Sequence, residues 1–146
     1  MLKRISFLLA VAGLLLFGGA TDTAAQAYKV VVNAGNPVSS MPARDVANLF
    51  LKRTTRWTNG ETVVAMDLPE SSGVRAAFSE AVHGRSVGSI KAYWQRLIFS
   101  GRGVPPVEKA SNAEVLSTVA GSSGAVGYVS GGASLPGGVK VLNVTN

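Results

Sequence analysis

The feature that most constrains the fold is the alternation of short apolar runs with stretches of helical spacing. Tyr28–Asn33 is rich in β-branched residues and polar only at its ends, which is typical of a strand buried on both faces. Similar runs occupy residues 62–66, 124–129 and 139–144. Such strands need helices on both sides of their sheet. The sequence therefore predicts an α/β fold, a single three-layer domain with a mostly parallel sheet flanked by helices.

Four segments carry apolar residues at the i, i+3, i+4 spacing of one helix face. This spacing predicts helices over residues 42–52, 73–82, 89–99 and 111–120. Ser39 or Ser40 is the expected cap of the first helix, and Ser111 with Glu114 forms a capping box before the last. The Gly and Pro residues of segment 100–106 exclude regular helix and central strand there.

The N-terminal residues predict export. Lys3 and Arg4 precede an almost wholly apolar run over residues 5–19, and Ala25-Gln26-Ala27 supplies the small residues that a signal peptidase needs. We therefore expect a signal peptide over residues 1–27. A retained membrane anchor is the alternative, although this run is shorter than the roughly 20 apolar residues that span a bilayer. Cleavage would leave residues 28–146 as a periplasmic or secreted domain without a membrane span.

The inventory of reactive side chains argues against an enzyme. The 146 residues contain no Cys, which excludes thiolate metal sites and a cysteine nucleophile. The one histidine, His83, precedes Gly84 at a predicted helix end, where a His commonly caps the helix or interacts with its dipole. Asp67 and Glu70 are interpreted as hydrogen-bond acceptors and helix N-terminal charges. A small hydrolase would lack a base, so we expect no catalysis, metal or cofactor.

The net charge is positive and favours anionic partners. The formal charge is +6, and residues 28–146 contain 12 Lys and Arg against 7 Asp and Glu. The densest basic group, Lys52, Arg53 and Arg56, lacks interleaved aromatic residues on which bases could stack. Nucleic acid is therefore not an expected partner.

A candidate anion site follows the second predicted strand. Ser71 and Ser72 stand at the mouth of a predicted helix, and Gly73 and Val74 supply the amides of its first turn. Unpaired N–H groups and the positive end of the helix dipole favour an anion at such a place. Arg75 either adds charge or projects into water. The alternative to an oxyanion site at these five residues is an ordinary Ser N-cap.

Several short motifs follow one another in a recognisable order. They are Asn36-Pro37-Val38, Leu49-Phe50-Leu51, Trp57-Thr-Asn-Gly60, the Ser72-Gly73 helix start that leads to Phe78, and Gly124-Ala-Val-Gly-Tyr-Val129. This order resembles the phosphate-binding proteins of phosphate ABC transporters, which belong to the type 2 periplasmic binding-protein superfamily. The resemblance implies phosphate or another small oxyanion as the ligand, and an ABC permease or a sensor protein as the partner.

The chain also departs from this family. Family members clamp phosphate between two lobes, whereas this sequence resembles a single lobe, which a homodimer could complete. Aligning the family's anion motif on Ser72-Gly73 places Leu68 where the family has an arginine and Val74 where it has a threonine. Each lost charged hydrogen bond is worth about 1.5 to 3 kcal/mol. The alternative function is an exported interaction module that kept the fold, lost the ligand, and binds a protein or an anionic surface.

Overall fold

The computed structural model describes residues 26–146, so the predicted signal peptide lies outside the described residues except for Gln26 and Ala27. Within this range the chain forms six strands and four α-helices. In chain order these are β1 Tyr28–Asn33, β2 Ser40–Pro42, α1 Ala43–Phe50, β3 Val64–Asp67, α2 Gly73–Phe78, α3 Val87–Phe99, β4 Val107–Glu108, α4 Asn112–Gly121, β5 Ala125–Ser130 and β6 Val139–Thr145. A π-helix, Ser79–His83, continues α2.

The described strands form one sheet with the order β2-β6-β1-β5-β3-β4. The pairs β2–β6, β5–β3 and β3–β4 are parallel, whereas β1 is antiparallel to both β5 and β6. Among the described strands, β1 alone therefore runs against the others. Val30, Val31 and Val32 of β1 are fully buried, as their apolar run predicts. The apolar run cannot reveal the direction of this strand, because a strand buried on both faces has the same pattern in either direction.

Helices cover both faces of the sheet, which confirms the predicted α/β class. The Tyr128 ring of β5 stacks on Phe78 of α2 with 3.9 Å between ring centroids. A Cβ added to the preceding residue, Gly127, would lie 2.6 Å from Val115 Cγ1 of α4. Since successive strand residues point to opposite faces, α2 and α4 lie on opposite sides of the sheet. The same close approach explains why position 127 is a glycine.

Helix α3 packs mainly outside the central core. Its Ile90 and Trp94 form a small second cluster with Leu51, against which Tyr93 and Leu97 also pack. Helix α3 therefore lies along one flank of the domain, where it lines a cleft together with Asp67 of β3 and Glu108 of β4.

None of the helices within residues 26–146 has the length and hydropathy that a membrane-spanning helix needs.

The start of α1 differs from the prediction. The helix begins after Pro42, and no side chain caps it. Ser40 instead pairs with Asn143 in the β2–β6 ladder, and the Ser39 carbonyl accepts from the Asn143 amide at 2.9 Å. The predicted Ser cap is wrong because the sheet takes up these residues. At α4, by contrast, the Ser111 hydroxyl accepts from the Glu114 amide as predicted.

Candidate functional site

The residues predicted to bind an oxyanion lie where β3 ends and α2 begins. Ser72 is the N-cap of α2, and its Oγ accepts from the Arg75 amide at 3.3 Å. The Ser72 amide in turn donates to the Pro69 carbonyl at 2.9 Å, which closes the loop after β3. Ser71 and Gly73 are exposed. The structure thus brings the backbone of all the predicted residues together in one turn at the surface.

The first turn of α2 offers two backbone donors. Within residues 26–146, the amides of Gly73 and Val74 have no hydrogen-bond acceptor, as the geometry of a helix start dictates. A Cβ added to Gly73 would meet no atom within 4 Å. The space beside the Cα of this glycine is therefore open.

The Arg75 side chain is held by other parts of the protein. Its Nη1 donates to the Leu68 carbonyl at 2.9 Å and lies 3.4 Å from Glu108 Oε2, while its Nη2 lies 3.7 Å from Asp67 Oδ2. Only 12% of the Arg75 side chain is exposed. The alternative in which Arg75 projects into water is therefore wrong, and its positive charge is shared with two carboxylates.

Beneath the loop, Asp67 and Tyr128 form a buried polar pair. The Tyr128 hydroxyl donates to Asp67 Oδ1 at 2.8 Å and accepts from the Leu68 amide at 3.2 Å. Burial raises the pKa of the Asp67 carboxyl, whereas the Arg75 charge and the Tyr128 hydrogen bond lower it. Burial and the neighbouring Asp67 charge raise the pKa of Tyr128, so this hydroxyl keeps its proton and remains a donor. The pair ties β3 to β5.

The amino-acid sequence does not reveal this pair. Tyr128 stands within an apolar run, where its ring predicts core packing and nothing indicates a partner for its hydroxyl. The two residues are 61 positions apart in the chain. The one available signal is that a buried tyrosine usually finds a hydrogen-bond partner, but this expectation does not identify Asp67.

A cleft of about 320 Å³ opens beside the pair, between α3 and the β3–β4 edge. Its charged lining residues are Asp67, Glu70, Arg75, Lys91 and Glu108. Glu70 pairs with Lys91 at 3.0 Å across the cleft. Asp67 and Glu70 therefore both accept hydrogen bonds, as the sequence predicts, Asp67 from Tyr128 and Glu70 from Lys91. Three acidic groups against two basic groups make this cleft unfavourable for a phosphate ion.

His83 ends the π-helix, next to Gly84 in the left-handed conformation. Its ring packs edge-on against Phe78 with 5.6 Å between centroids, and its buried Nδ1 has no partner in the described part of the chain. Burial, reinforced by the Arg85 charge, lowers the pKa of His83 to about 4. The position at a helix end agrees with the prediction, but the ring is neutral at pH 7 and is not a charged partner of the helix dipole. Within residues 26–146, no three His, Asp or Glu side chains cluster as metal ligands do.

Neither a family model nor a curated protein matches this sequence, but several solved structures match its fold. An ABC-type phosphate transport receptor from Vibrio cholerae superposes with a TM-score of 0.62 at 20% identity, covering 81% of this chain and 46% of that one. A putative phosphate ABC transporter substrate-binding protein with bound phosphate, from Clostridium perfringens, has a TM-score of 0.63 at 20% identity, with coverages of 81% and 44%. A possible phosphate binding protein from Planctomyces limnophilus has a TM-score of 0.59 at 15% identity, with coverages of 82% and 42%.

These matches confirm the resemblance inferred from the short motifs at the level of the fold. The chain spans less than half the length of each of these structures. A shared fold at this identity does not assign a ligand to this chain, because ligand binding depends on the residues of the site and not on the fold. The described chain has the α/β fold of phosphate ABC transporter substrate-binding proteins, over a little less than half of their length.

Proposed function

We propose that this chain is an exported solute-binding protein of the phosphate-binding type. Residues 1–27 direct export, and residues 28–146 form a periplasmic binding-protein-like domain that takes part in ABC transport or sensing. The domain binds phosphate or a similar small oxyanion at Ser71, Ser72, Gly73, Val74 and Arg75. The observation that carries the proposal is the pair of open amides at Gly73 and Val74, in a fold shared with phosphate-binding proteins.

An anion placed before this turn has several donors within one loop. The two amides donate along the helix direction, where the partial positive charge of the helix start favours an anion. The hydroxyls of Ser71 and Ser72 add donors that rotate to suit the ligand. The Ser72 oxygen accepts from the Arg75 amide, which leaves its own proton free to donate. Two amides and two hydroxyls thus give this one turn up to four donors for a tetrahedral oxyanion.

The charges nearby limit the affinity of this site. Arg75 is shared with Asp67 and Glu108, and Leu68 and Val74 carry no charged or hydroxyl donor. Each charged hydrogen bond that is missing is worth about 1.5 to 3 kcal/mol, or a factor of about ten to a hundred in the dissociation constant. We therefore expect weak binding by one copy, strengthened where a second copy, a permease or a sensor protein closes over the turn.

Calorimetric titration with phosphate tests the proposal, with sulfate as the comparison ion and the mass in solution measured alongside. In Ser72→Asp, aspartate preserves the N-cap while its carboxylate repels an incoming anion. Ser86→Asp is the matched control, because Ser86 caps α3 with the same geometry and accepts from the Ser89 amide at 3.1 Å. We expect saturable binding by the wild type and Ser86→Asp, and none by Ser72→Asp.

Two results would contradict this function. Unchanged phosphate binding by a folded Ser72→Asp variant would refute the site. Failure of the wild type to bind at millimolar phosphate would refute the ligand class. A dimeric mass together with saturable binding would support the homodimer as the way in which a second half of the site is supplied.

A second candidate function is an exported interaction module that has lost the ligand. The observation that favours it is the environment of Leu68 and Arg75: Leu68 is buried in the core, and the Arg75 guanidinium is committed to Glu108 and to the Leu68 carbonyl. Anything that binds only the folded state raises its melting temperature. A melting temperature unchanged by phosphate and by sulfate would favour the interaction module.

A further inference from the structure

The end of α3 and the loop after it display unusually exposed apolar side chains. Within residues 26–146, Phe99 is 91% exposed, Val104 is 70% exposed and Ile98 is 52% exposed. Helix α3 buries Ile90 and Trp94. Phe99 lies about half a turn around the helix from Ile90, given roughly 100° per residue, and therefore points away from the protein. Phe99 and Val104 project from the protein as an apolar tip, and Ile98, which adjoins Phe99 in the chain, also lines the cleft beside β4.

The loop that completes this tip is fastened to α3. Arg102 Nε donates to Ser100 Oγ at 2.9 Å, and the Ser100 hydroxyl donates to the Leu97 carbonyl at 3.1 Å. Gly103 lies so close to the helix that an added Cβ would be 3.3 Å from the Trp94 ring. The exposed position of Val104, the next residue, is thus set by packing and hydrogen bonds.

Basic side chains lie near the tip, whereas the acidic groups Glu70 and Glu108 belong to the cleft that Ile98 also lines. The segment from residue 85 to residue 109 contains five Lys and Arg residues against one acidic residue, Glu108. The fold adds Lys52 from the end of α1, whose Nζ donates to the Pro105 carbonyl at 3.4 Å. It also adds Arg53, whose guanidinium carbon lies 5.7 Å from the centroid of the Tyr93 ring. We call Ile98, Phe99 and Val104, together with Lys52, Arg96 and Arg102, the basic-apolar surface.

We propose that the basic-apolar surface docks the protein on an anionic lipid bilayer. An apolar tip with cations beside it is complementary to such a bilayer, where acyl chains accept the apolar groups and headgroup phosphates accept the cations. Phe99, Ile98 and Val104 enter the interface, while Arg96 and Arg102 remain at the level of the phosphates. A deformable bilayer surface accommodates a projecting tip, whereas a protein partner would need a pocket of matching shape. The docking is independent of the oxyanion site at Ser72.

A single fluorescent label can report this docking. The chain has no Cys, so Val104→Cys provides one attachment point for an environment-sensitive dye and leaves Phe99 and Ile98 intact. The full chain is mixed with vesicles of phosphatidylcholine alone or of equal parts phosphatidylcholine and phosphatidylglycerol. We expect a blue shift with the anionic vesicles that salt reduces. Val141→Cys is the control, because Val141 is 45% exposed on β6, in the other half of the sheet, and should show no shift.

Variants in the Val104→Cys background separate the two kinds of contact. Phe99→Ser removes the main apolar group and should abolish most of the shift. Each cation near an anionic bilayer is worth about fivefold in binding, so Arg96→Gln combined with Arg102→Gln should weaken binding about 30-fold. Arg44→Gln is the matched charge control, since the Arg44 side chain is 86% exposed at the start of α1 and should leave binding unchanged. All of these side chains are exposed, so the domain should stay folded, and Arg96→Gln alone, which leaves the hydrogen bond from Arg102 to Ser100 intact, should weaken binding about fivefold.

Several outcomes would overturn the proposal. These are no shift at position 104 with anionic vesicles, an equal shift with phosphatidylcholine alone, or an equal shift at position 141. Emission that is already blue-shifted without vesicles and depends on protein concentration would assign the surface to contact between two copies of the chain. Because every variant carries the same apolar residues 5–19, the differences between variants report on the surface and not on the N-terminal segment.

Discussion

Acidification should destabilise the folded protein through its one histidine. The pKa of His83 is lowered from 6.5 to about 4, because the ring is largely buried beside Phe78 and near Arg85. Each unit between the unfolded and the folded pKa is worth about 1.4 kcal/mol. Protonation therefore removes about 3 kcal/mol from the free energy of unfolding by pH 4, which is a large part of the 5 to 15 kcal/mol typical of a domain.

The folded protein loses stability on acidification because its unfolded state holds the proton of His83 more tightly. The unfolded chain protonates His83 below pH 6.5, whereas the folded chain protonates it only near pH 4. The contribution of His83 to stability is therefore fully present above pH 6.5 and is lost as the pH falls through 4. Asp67 acts in the opposite direction, because its raised pKa makes the folded state gain stability as the pH falls.

Two measurements test this prediction. The chain contains one His, so a nuclear magnetic resonance titration shows one imidazole, and its midpoint should lie near pH 4. Urea unfolding of the wild type and of His83→Gln over the same pH range then isolates the histidine, because the carboxylates titrate equally in both proteins. An imidazole midpoint near 6.5, or unfolding free energies that run parallel in the two proteins, would show that burial does not perturb this histidine.

Three further substitutions test other parts of the structure. Tyr128→Phe removes the hydroxyl that joins Asp67 to the Leu68 amide and should lower the free energy of unfolding by about 2 to 4 kcal/mol; Tyr93→Phe, at a half-buried position, should cost less than a third of that in the same urea experiment. Gly127→Ala places a methyl group against Val115 and should cost about 1 to 3 kcal/mol, and an unaltered urea midpoint would contradict the close packing of α4 on β5. Glu108→Gln releases Arg75 from one carboxylate and should tighten phosphate binding about tenfold in calorimetry; unchanged affinity would indicate that Arg75 does not reach the ligand.

The local elements could be predicted because their causes are local. The apolar run of β1 predicts a buried strand, and Tyr28–Asn33 is that strand. The helical spacing over residues 89–99 predicts α3, which the structure extends by two residues at its start to Val87. Ser111 caps α4 as its position before Glu114 predicts. Period and capping chemistry involve residues within a few positions of one another, so the sequence contains them directly.

The short strands β2 and β4 escaped prediction for the opposite reason. Two or three residues are too few to show a period, and their hydrogen bonds depend on distant partners. Met41 of β2 pairs with Val144, and Val107 of β4 pairs with Met66. Only the assembled sheet provides these partners, and it also turns Ser40 from a candidate cap into a strand residue.

Local patterns in the chain were therefore enough to predict the α/β class, the main helices and strands, and the serine-glycine turn after β3. Long-range packing determines which polar groups meet. It brought Glu108 to Arg75 across 33 positions, Tyr128 to Asp67 across 61, and Lys52 to Pro105 across 53. Such pairings depend on strand order and register, which are set by the packing of the whole core and leave no local pattern in the chain.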